Sequence, residues 1–311
     1  MKKKHVKIFA GGVTEGLTKK IAKGLQMKTS EITVRRFSDG EFSPFFNESI
    51  RGDDVFLVQS TPPPTDNFFE LVLLIDAAKR ASAHSIIAVI PYFGFARQDR
   101  KDRPRTAITA KVMANILQNA GVNRVITMDL HAAQIQGFFD IPVDHLMASA
   151  IFAPYIKKMK IPNLTFASPD TGSADRVRKY AGHFDADFVI CDKARKRPNE
   201  VGSITVIGEV KGRNVIIIDD LADTAGTLCK TAEAIMEKGA KSVRAFCTHP
   251  VLSGKAYENI ENSSLLKLVV TDTIPLRQKS KKIKVLSTAP LFATAIERVY
   301  TNKSVNGLFV F

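Results

Sequence analysis

Short apolar runs alternate with amphipathic stretches along most of the chain. Runs of this length are typical of strands, and apolar residues on both faces are typical of parallel strands covered by helices. The predicted strands are Val6–Ala10, Val55–Gln59, Ile86–Pro91, Val125–Met128, Phe188–Cys191, Val215–Ile218 and Val243–Cys247. We therefore predict an α/β fold in which helices flank mainly parallel sheets.

Helices are predicted between several of these strands. Asn67–Ala81 and Ala107–Ala120 carry apolar residues at helical spacing, and Gly121 follows the second stretch as a helix-ending residue. Leu228–Lys238 is also predicted to be a helix, closed by Gly239. These stretches are interpreted as crossover helices between parallel strands.

The two halves of the chain share an order of features. In each half a predicted strand leads into a basic loop, and a later strand ends in an acidic residue. In the first half these are Ile86–Pro91, the loop Arg97–Arg105 and the strand ending at Asp129; in the second they are Phe188–Cys191, the loop 192–198 and the strand ending at Asp220. The order predicts two similar domains with a boundary near Asp144–Ala150.

The most informative segment is the apolar strand Val215–Ile218 with the polar loop that follows it. The loop contains Asp219, Asp220, Asp223, Thr224, Ala225, Gly226 and Thr227. Loops at the carboxyl ends of parallel strands surround ligands. Carboxylates accept hydrogen bonds from ribose hydroxyls, whereas threonine hydroxyls and backbone N–H groups donate to phosphate. The segment predicts a sugar-phosphate site, and the alternative is a buried strand whose Asp pair only caps the next helix.

Length, charge and cysteine content limit the other interpretations. A chain of 311 residues is long enough for about two domains. The formal charge of +14 is spread along the chain without a nucleic-acid-binding motif, which suits small anionic substrates or a solvated surface. The short apolar runs predict neither a signal peptide nor a membrane span. Because Cys191, Cys229 and Cys247 are odd in number and lack metal-site spacing, we predict a reducing, cytoplasmic location.

Two segments are candidates for nucleotide contact, since the sequence contains no P-loop. Arg36–Glu41 offers Phe37 for stacking on a base and carboxylates at Asp39 and Glu41, although Asp-Gly turns beside a phenylalanine are commonly structural. The loop Arg97–Arg105 has four arginines and a lysine, which suit a polyphosphate. The alternative for this loop is a surface network of ion pairs with its own aspartates.

Two further pairs of residues are candidates for metal binding and catalysis. His131 and Asp170 follow predicted strand ends and together suit one Mg²⁺ that keeps several waters and binds substrate phosphates. A histidine at a strand end is otherwise commonly a hydrogen-bonded structural residue. Lys193 and Arg195 lie in a basic loop where they can close over a transferring phosphoryl group, and the alternative is an exposed basic loop without a catalytic role.

Nine motifs occur in a fixed order along the chain. They are Phe37-Ser38-Asp39-Gly40-Glu41, Glu48-Ser49-Ile50-Arg51-Gly52, Gln59-Ser60-Thr61, Pro91-Tyr92, Arg97-Gln98-Asp99, Met128-Asp129-Leu130-His131, Ser168-Pro169-Asp170, Asp192-Lys193-Ala194-Arg195 and Asp219–Thr227. This ordered set resembles the motifs of class I ribose-phosphate pyrophosphokinases, the phosphoribosyl diphosphate synthases. The resemblance extends over nearly the whole chain.

The resemblance implies an activity and a set of site residues. ATP would donate its β,γ-diphosphate to the anomeric hydroxyl of ribose 5-phosphate, giving phosphoribosyl diphosphate and AMP, with Mg²⁺ as cofactor. The implied ATP contacts are Phe37, Asp39, Glu41, Arg97, Gln98 and Asp99, and the implied ribose 5-phosphate contacts are Asp219, Asp220, Asp223, Thr224, Ala225, Gly226 and Thr227. The implied catalytic residues are Lys193 and Arg195, the implied magnesium ligands are His131 and Asp170, and Ser49 and Arg51 lie near an implied regulatory site for phosphate or ADP.

The resemblance also implies two domains of the type I phosphoribosyltransferase fold. Residues 1–147 would form an ATP-binding and oligomerisation domain, residues 148–289 would bind ribose 5-phosphate, and the tail from about 290 to 311 would pack on the first domain. The implied assembly is a homohexamer built from dimers, without nucleic acid or membrane partners. In it Phe37–Glu41 would act on a neighbour's site.

The chain departs from the family pattern Ser-Pro-Asp-x-Gly-Gly, because Ser173 occupies the position of the second glycine. Close backbone approach at this position is therefore expected to differ. Two alternative functions would use the same sugar-phosphate loop. A phosphoribosyltransferase consumes phosphoribosyl diphosphate and needs no adenine site, and a non-catalytic regulator needs none of Lys193, Arg195, His131 and Asp170.

Overall fold

The computed structural model describes residues 5–193 and 204–311. The strands are β1 (Val6–Ala10), β2 (Ile32–Arg36), β3 (Phe42–Phe46), β4 (Asp54–Val58), β5 (Ser85–Ile90), β6 (Arg124–Met128), β7 (Val143–Leu146), β8 (Leu164–Ser168), β9 (Asp187–Lys193), β10 (Ile204–Ile207), β11 (Asn214–Ala222), β12 (Ser242–Pro250), β13 (Leu265–Thr271) and β14 (Ile283–Leu286). The helices are α1 (Glu15–Gly24), α2 (Asp66–Arg80), α3 (Thr109–Ala120), α4 (Ser149–Met159), α5 (Ala174–Phe184), α6 (Gly226–Glu237), α7 (Ala256–Asn262) and α8 (Ala289–Tyr300).

The chain divides into two compact units. Unit 1 contains Met1–Met147, Thr273–Pro275 and Ser287–Phe309, and unit 2 contains Ala148–Asp272, Leu276–Leu286 and Val310–Phe311. Helix α8 belongs to unit 1, where it packs on α1. A Cβ atom at Gly24 would lie only 3.1 Å from Cβ of Ala293, so glycine permits this close approach of the two helices.

Unit 1 is built on a five-stranded sheet in the order β1-β4-β5-β6-β7, with every neighbouring pair parallel. All five residues of β4 are buried, as expected for an apolar strand between parallel neighbours. Leu71 and Leu74 of α2 and Leu117 of α3 pack into the same core. Strands β2 and β3 form a separate antiparallel hairpin.

Unit 2 is built on a seven-stranded sheet in the order β10-β9-β8-β11-β12-β13-β14. Only the edge pair β9 and β10 is antiparallel among these strands. Strand β11 lies between β8 and β12, and its residues Asn214–Ile218 are buried. The loops that follow β8 and β11 therefore leave the same edge of the sheet.

The predicted fold class is confirmed: helices flank parallel sheets in both units. Each of the predicted strands is present, and the predicted helices begin within two residues of α2, α3 and α6. Gly121 and Gly239 follow α3 and α6 with φ values of 117° and 90°, which only glycine adopts easily. The sequence prediction omitted the hairpin and the strands β7, β8, β10, β13 and β14.

The two units repeat one order of elements, but the correspondence predicted from the sequence is wrong. Each unit runs strand, helix, antiparallel pair, and then four parallel strands, so β1 corresponds to β8 and β4 to β11. The sequence order instead pairs β5 with β9, and β6 with β11. The error arose because β8 was not predicted, so the apolar runs of the second half were matched in a shifted order.

No helix of the described residues is long and apolar enough to cross a membrane.

Candidate active site

The acidic loop of unit 2 begins inside a strand. Strand β11 continues through Asp219, Asp220 and Ala222, beyond its last pairing with β8 at Ile217, and stays paired with β12. The chain then passes through Asp223 and Thr224 into α6. The predicted ribose 5-phosphate residues therefore lie together at the carboxyl end of β11.

The adjacent carboxylates Asp219 and Asp220 are held by an arginine from α5. Nη1 of Arg176 lies 3.3 Å from Oδ1 of Asp220 and 3.9 Å from Oδ1 of Asp219. Oδ1 of Asp219 also accepts hydrogen bonds from the backbone N–H of Asp220 at 2.9 Å and from Oγ of Ser173 at 3.2 Å. One cation and two hydrogen-bond donors thus offset the repulsion between the two acids.

The electrostatic environment of Asp219 is unfavourable for its charge. Burial raises the pKa of its carboxyl group well above the usual value, the charge of Asp220 adds to the effect, and Arg176 opposes it. The side chain keeps 22% of its exposure, so water reaches it. Hydrogen bonds donated by a ligand would therefore stabilise the charged form of Asp219.

The turn from Asp223 to Gly226 is fixed by groups from outside the loop. Oγ of Ser253 donates to Oδ1 of Asp223, and the Ser253 N–H donates to the Asp223 carbonyl at 3.1 Å. Nδ2 of Asn259 donates to the Thr224 carbonyl at 2.9 Å. Ala225 has a left-handed φ of 57°, and α6 begins directly after it. Because the first N–H groups of a helix have no partner within the helix, this turn directs donors toward the loop.

The loop after β8 brings a third carboxylate to this edge. Asp170 is exposed, and its Oδ1 accepts the Ser173 N–H at 3.0 Å. Ser173 therefore contacts both Asp170 and Asp219. Carboxylate oxygens are ligands that Mg²⁺ prefers, so Asp170 fits the donor chemistry of that ion. Among the described residues, no group of three or more His, Cys, Asp or Glu side chains is arranged as a metal site.

The predicted catalytic pair lies at the limit of the described chain. Lys193 is the last residue of β9, and Arg195 lies outside the described residues. The backbone pairing of Lys193 with Ile204 places it at the end of the edge pair of unit 2. The roles predicted for Lys193 and Arg195 stay predictions.

In unit 1 the predicted adenine contacts lie at the tip of the hairpin. Residues 37–41 join β2 to β3, all five are exposed, and the turn is closed by the Phe37 N–H on the Glu41 carbonyl at 2.8 Å. Oδ1 of Asp39 accepts the Glu41 N–H at 3.0 Å, and Gly40 has φ 98°. The Phe37 ring is 42% exposed and lies under the Arg35 guanidinium at 4.9 Å. An aromatic ring is thus presented outside the core.

The basic loop of unit 1 is also exposed at its arginines. The arginine side chains at 97, 100, 103 and 105 are all exposed, and Asp99 is half-buried. Oγ1 of Thr109 donates to Oε1 of Gln98 at 2.6 Å, which fixes Gln98 at the start of α3. The expected alternative, ion pairing within the loop, is represented by Arg103 and Asp102 at 3.6 Å. An exposed pair of this kind contributes only about 0–1 kcal/mol.

The remaining predicted residues of unit 1 lie in two other loops. His131 is exposed and follows β6, where the neighbouring Leu130 N–H donates to Nε2 of His145 at 2.8 Å. Nη1 of Arg51 donates to Oγ of Ser82 at 3.1 Å, and Nζ of Lys7 donates to the Ser49 carbonyl at 2.7 Å. His131 belongs to unit 1 and Asp170 to unit 2, so their shared Mg²⁺ stays a prediction.

Comparison with known proteins identifies the family. Residues 6–121 match the N-terminal domain of ribose phosphate pyrophosphokinase, and residues 185–310 match the phosphoribosyl synthetase-associated domain. The chain is 55% identical to a ribose-phosphate pyrophosphokinase from Campylobacter jejuni over 305 residues, covering 98% of this chain and 99% of the relative. It is 56% identical to the corresponding protein from Wolinella succinogenes, with the same coverage.

The chain belongs to the ribose-phosphate pyrophosphokinase family. The crystal structure of phosphoribosylpyrophosphate synthetase from Mycobacterium smegmatis has a TM-score of 0.91 and 37% identity to it, covering 96% of this chain and all of that one. The family resemblance derived from the ordered motifs is therefore confirmed.

The sequence analysis missed the residues that hold the acidic loop after β11 in place. Arg176, Ser253 and Asn259 lie on other elements, and no local pattern marks them as partners of the acidic loop. Arg176 and Asp220 are far apart in the sequence, so spacing does not reveal their contact.

Proposed function

We propose that the chain is a ribose-phosphate diphosphokinase that transfers the β,γ-diphosphate of ATP to the anomeric hydroxyl of ribose 5-phosphate. The products are phosphoribosyl diphosphate and AMP. The observation that carries the proposal is that the acidic end of β11 leads through the short turn 223–225 into the first turn of α6. This arrangement joins acceptors for sugar hydroxyls to donors for a phosphate.

The ribose 5-phosphate is bound by the residues from Asp219 to Thr227. Asp219 and Asp220 accept hydrogen bonds from ribose hydroxyls, while Thr224, Thr227 and the N–H groups from Ala225 onward donate to the 5-phosphate. The turn supports these roles because Ser253 and Asn259 bind it from elsewhere in unit 2. A turn whose backbone is fixed by such contacts loses less entropy when a ligand binds.

ATP is bound by the exposed segments of unit 1. Phe37 stacks on adenine, Asp39 and Glu41 accept from its amino group, and Arg97, Gln98 and Asp99 hold the nucleotide. The 42% exposure of the Phe37 ring supports the stacking role. Replacing Phe37 by Ala is expected to raise KM for ATP by about 5–150-fold, since base stacking contributes about 1–3 kcal/mol.

The reaction is an in-line attack of the ribose O1 on the β-phosphorus, in which the bond from that phosphorus to the AMP oxygen breaks. Positioning and neutralisation of charge account for most of the catalysis, so no strong base is needed. Lys193 and Arg195 stabilise the charge that develops on the transferred group. His131 and Asp170 would hold Mg²⁺, which neutralises phosphate charge when it is bound.

We further propose that the active form is a homohexamer built from dimers, with residues 1–147 supplying the contacts. Phe69 and Leu73 lie one turn apart on α2 and are 50% and 39% exposed, and Val112 of α3 is 43% exposed. Exposed apolar side chains on packed helices support an interface between copies. Light scattering of the protein eluting from a size-exclusion column measures its assembly, and a monomer at the concentration of the activity assay would contradict the proposed hexamer.

The cytoplasmic location is supported by three buried free thiols.

Phosphorus NMR tests the proposed reaction directly. The purified protein is mixed with ATP, Mg²⁺ and ribose 5-phosphate, with and without added phosphate. The proposal predicts that AMP and a sugar-linked diphosphate appear together in equal amounts. Failure to form both, while ribose 5-phosphate still binds, would instead identify a non-catalytic regulator, and formation of a nucleotide only from phosphoribosyl diphosphate and a base would identify a phosphoribosyltransferase.

A further inference from the structure

The first turn of α5 faces the acidic end of β11. Ser173 immediately precedes the helix and Arg176 lies three residues later, so the two side chains are neighbours on one helical surface. Neither residue belongs to the sugar-phosphate loop. Both contact its acids.

Arg176 reaches the two acids from one side. Its Nη1 lies 3.3 Å from Oδ1 of Asp220 and 3.9 Å from Oδ1 of Asp219, and its side chain is only 19% exposed. Arginine stays charged at any relevant pH and presents several donors in a rigid plane. A partly buried arginine between two adjacent carboxylates therefore fixes which of their oxygens face the protein and which face a ligand.

Ser173 links the two loops of the site. Its N–H donates to Oδ1 of Asp170 at 3.0 Å and its Oγ donates to Oδ1 of Asp219 at 3.2 Å. A glycine at this position would keep the N–H and lack the hydroxyl. The contact from Oγ to Asp219 therefore depends on the serine side chain.

We propose that Ser173 and Arg176 are positioning residues that hold the Asp219–Asp220 pair in the orientation that accepts the ribose hydroxyls. The inference rests on the proposed function, because it deepens the role of the ribose 5-phosphate site. It predicts a selective effect on the sugar substrate. Removal of either contact lets the two acids separate or rotate, so their oxygens no longer converge on adjacent hydroxyls.

Substitutions of Arg176 test the pair most strongly. Arg176→Met is expected to raise KM and the calorimetric Kd for ribose 5-phosphate by about 10–100-fold, the size expected for lost charge-assisted hydrogen bonds. KM for ATP should change less than about 3-fold, since that substrate binds elsewhere. Arg176→Lys keeps the charge without the planar donor group and should recover part of the loss.

A matched control is available on the same helix. Arg178 pairs with the exposed Asp175 at 2.6 Å and is 59% exposed. Arg178→Met removes the same charge two residues away and should leave Kd for ribose 5-phosphate unchanged. Equal effects of Arg176→Met and Arg178→Met would assign the loss to net charge and overturn the proposal.

Substitutions of Ser173 separate its two contacts. Ser173→Ala and Ser173→Gly both keep the N–H to Asp170 and both remove Oγ, so each should weaken ribose 5-phosphate binding by about 2–10-fold, as for one net hydrogen bond. Unchanged affinity in both variants would remove Ser173 from the proposal.

The outcomes distinguish this inference from the proposed function. Absence of AMP formation by the unsubstituted protein contradicts the proposed function, whereas the positioning role is measured by calorimetry with ribose 5-phosphate alone. Unchanged Kd in a folded Arg176→Met protein overturns the positioning role. A lower melting temperature and a lower kcat together with raised KM values for both substrates also overturn it, because that pattern indicates a general structural defect.

Discussion

The ends of β4 and β11 occupy the same position in the two units but have opposite character. In unit 2 the end of β11 carries Asp219 and Asp220 and opens into a loop held by Ser253 and Asn259. In unit 1 the end of β4 leads into Gln59, Ser60 and Thr61, which are at most 2% exposed. Equivalent strands therefore end in a candidate ligand site in one unit and in packed protein in the other.

The contacts of unit 1 explain the difference. A Cβ atom on Gly11 would fall 2.3 Å from Oε1 of Gln59, and Nε2 of Gln59 donates to the Asn67 carbonyl at 3.2 Å. The Gly12 N–H donates to Oε1 of Glu70 at 2.7 Å. The buried side chains at this strand end therefore bond to neighbouring segments of unit 1. A repeated fold thus does not imply a repeated site.

The largest effect is expected at Lys193, in the edge pair that corresponds in order to the hairpin of unit 1. Lys193→Ala should lower kcat by about 10³-fold or more, because a cation that stabilises transition-state charge contributes that much. Calorimetric Kd for ribose 5-phosphate should change little. Turnover near that of the unsubstituted protein would remove the catalytic role of Lys193.

The next effect is expected in the loop after β11. Asp223→Ala should raise Kd for ribose 5-phosphate by about 10–100-fold, since it removes a charged acceptor and frees Ser253. Titration calorimetry measures the change. Ser253→Ala is the control that perturbs the turn and keeps the carboxylate, and it should have the smaller effect. An unchanged Kd for Asp223→Ala would place the sugar elsewhere.

The corresponding substitution in unit 1 should affect stability alone. Gln59→Ala removes a fully buried amide that binds Asn67, so unfolding should become easier by about 2 kcal/mol. For a unit of this size that corresponds to a melting temperature lower by about 4–8 °C. Kinetic assays should give an unchanged KM for ribose 5-phosphate. A raised KM with an unchanged melting temperature would mean that the end of β4 binds substrate.

The smallest effect concerns the stability of the acidic pair. Because the pKa of Asp219 is raised in the folded state, its contribution to stability is fully present at pH values below the ordinary aspartate pKa. This contribution is lost as the pH rises through the raised pKa of the folded state. Asp219→Asn carries no charge, so at neutral pH its melting temperature should be higher, by about 2–4 °C for each kcal/mol gained. In the Asp219→Asn variant, Arg176 keeps Asp220 as its ion-pair partner, so its own charge does not lose its partner.

A pair of melting curves checks the sign of this prediction. The gain from Asp219→Asn should be larger at pH 8 than at pH 4, while the variant binds ribose 5-phosphate more weakly than the unsubstituted protein. A gain that is greater at the acidic pH would contradict the account of Asp219.

The fold was predictable where local pattern and tertiary position agree. Runs such as Val215–Ile218 are apolar on both faces because the sheet buries both, and Gly121 ends α3 because few other residues adopt its φ. Strands β8 and β13 were missed because Leu164–Ser168 and Leu265–Thr271 include polar residues. Thr271 of β13 donates to the Thr248 carbonyl at 2.7 Å, whereas the buried Oγ1 of Thr165 in β8 has no hydrogen-bond partner among the described residues. Missing β8 then shifted the predicted repeat.

The candidate site was predictable only in part. The acids and threonines after Ile218 are contiguous, so their chemistry is visible in sequence. Arg176 and Ser253 act through tertiary contacts, which no spacing indicates. Gln59-Ser60-Thr61 is the converse case, because its place among the family motifs gave no sign that all three side chains are buried.

Titration of the protein with ribose 5-phosphate tests most directly whether only unit 2 retains a sugar-phosphate site. Calorimetry should give one site per chain, with affinity reduced in Asp223→Ala and unchanged in Gln59→Ala. Two sites per chain, or a single site that is lost in Gln59→Ala and kept in Asp223→Ala, would contradict the account.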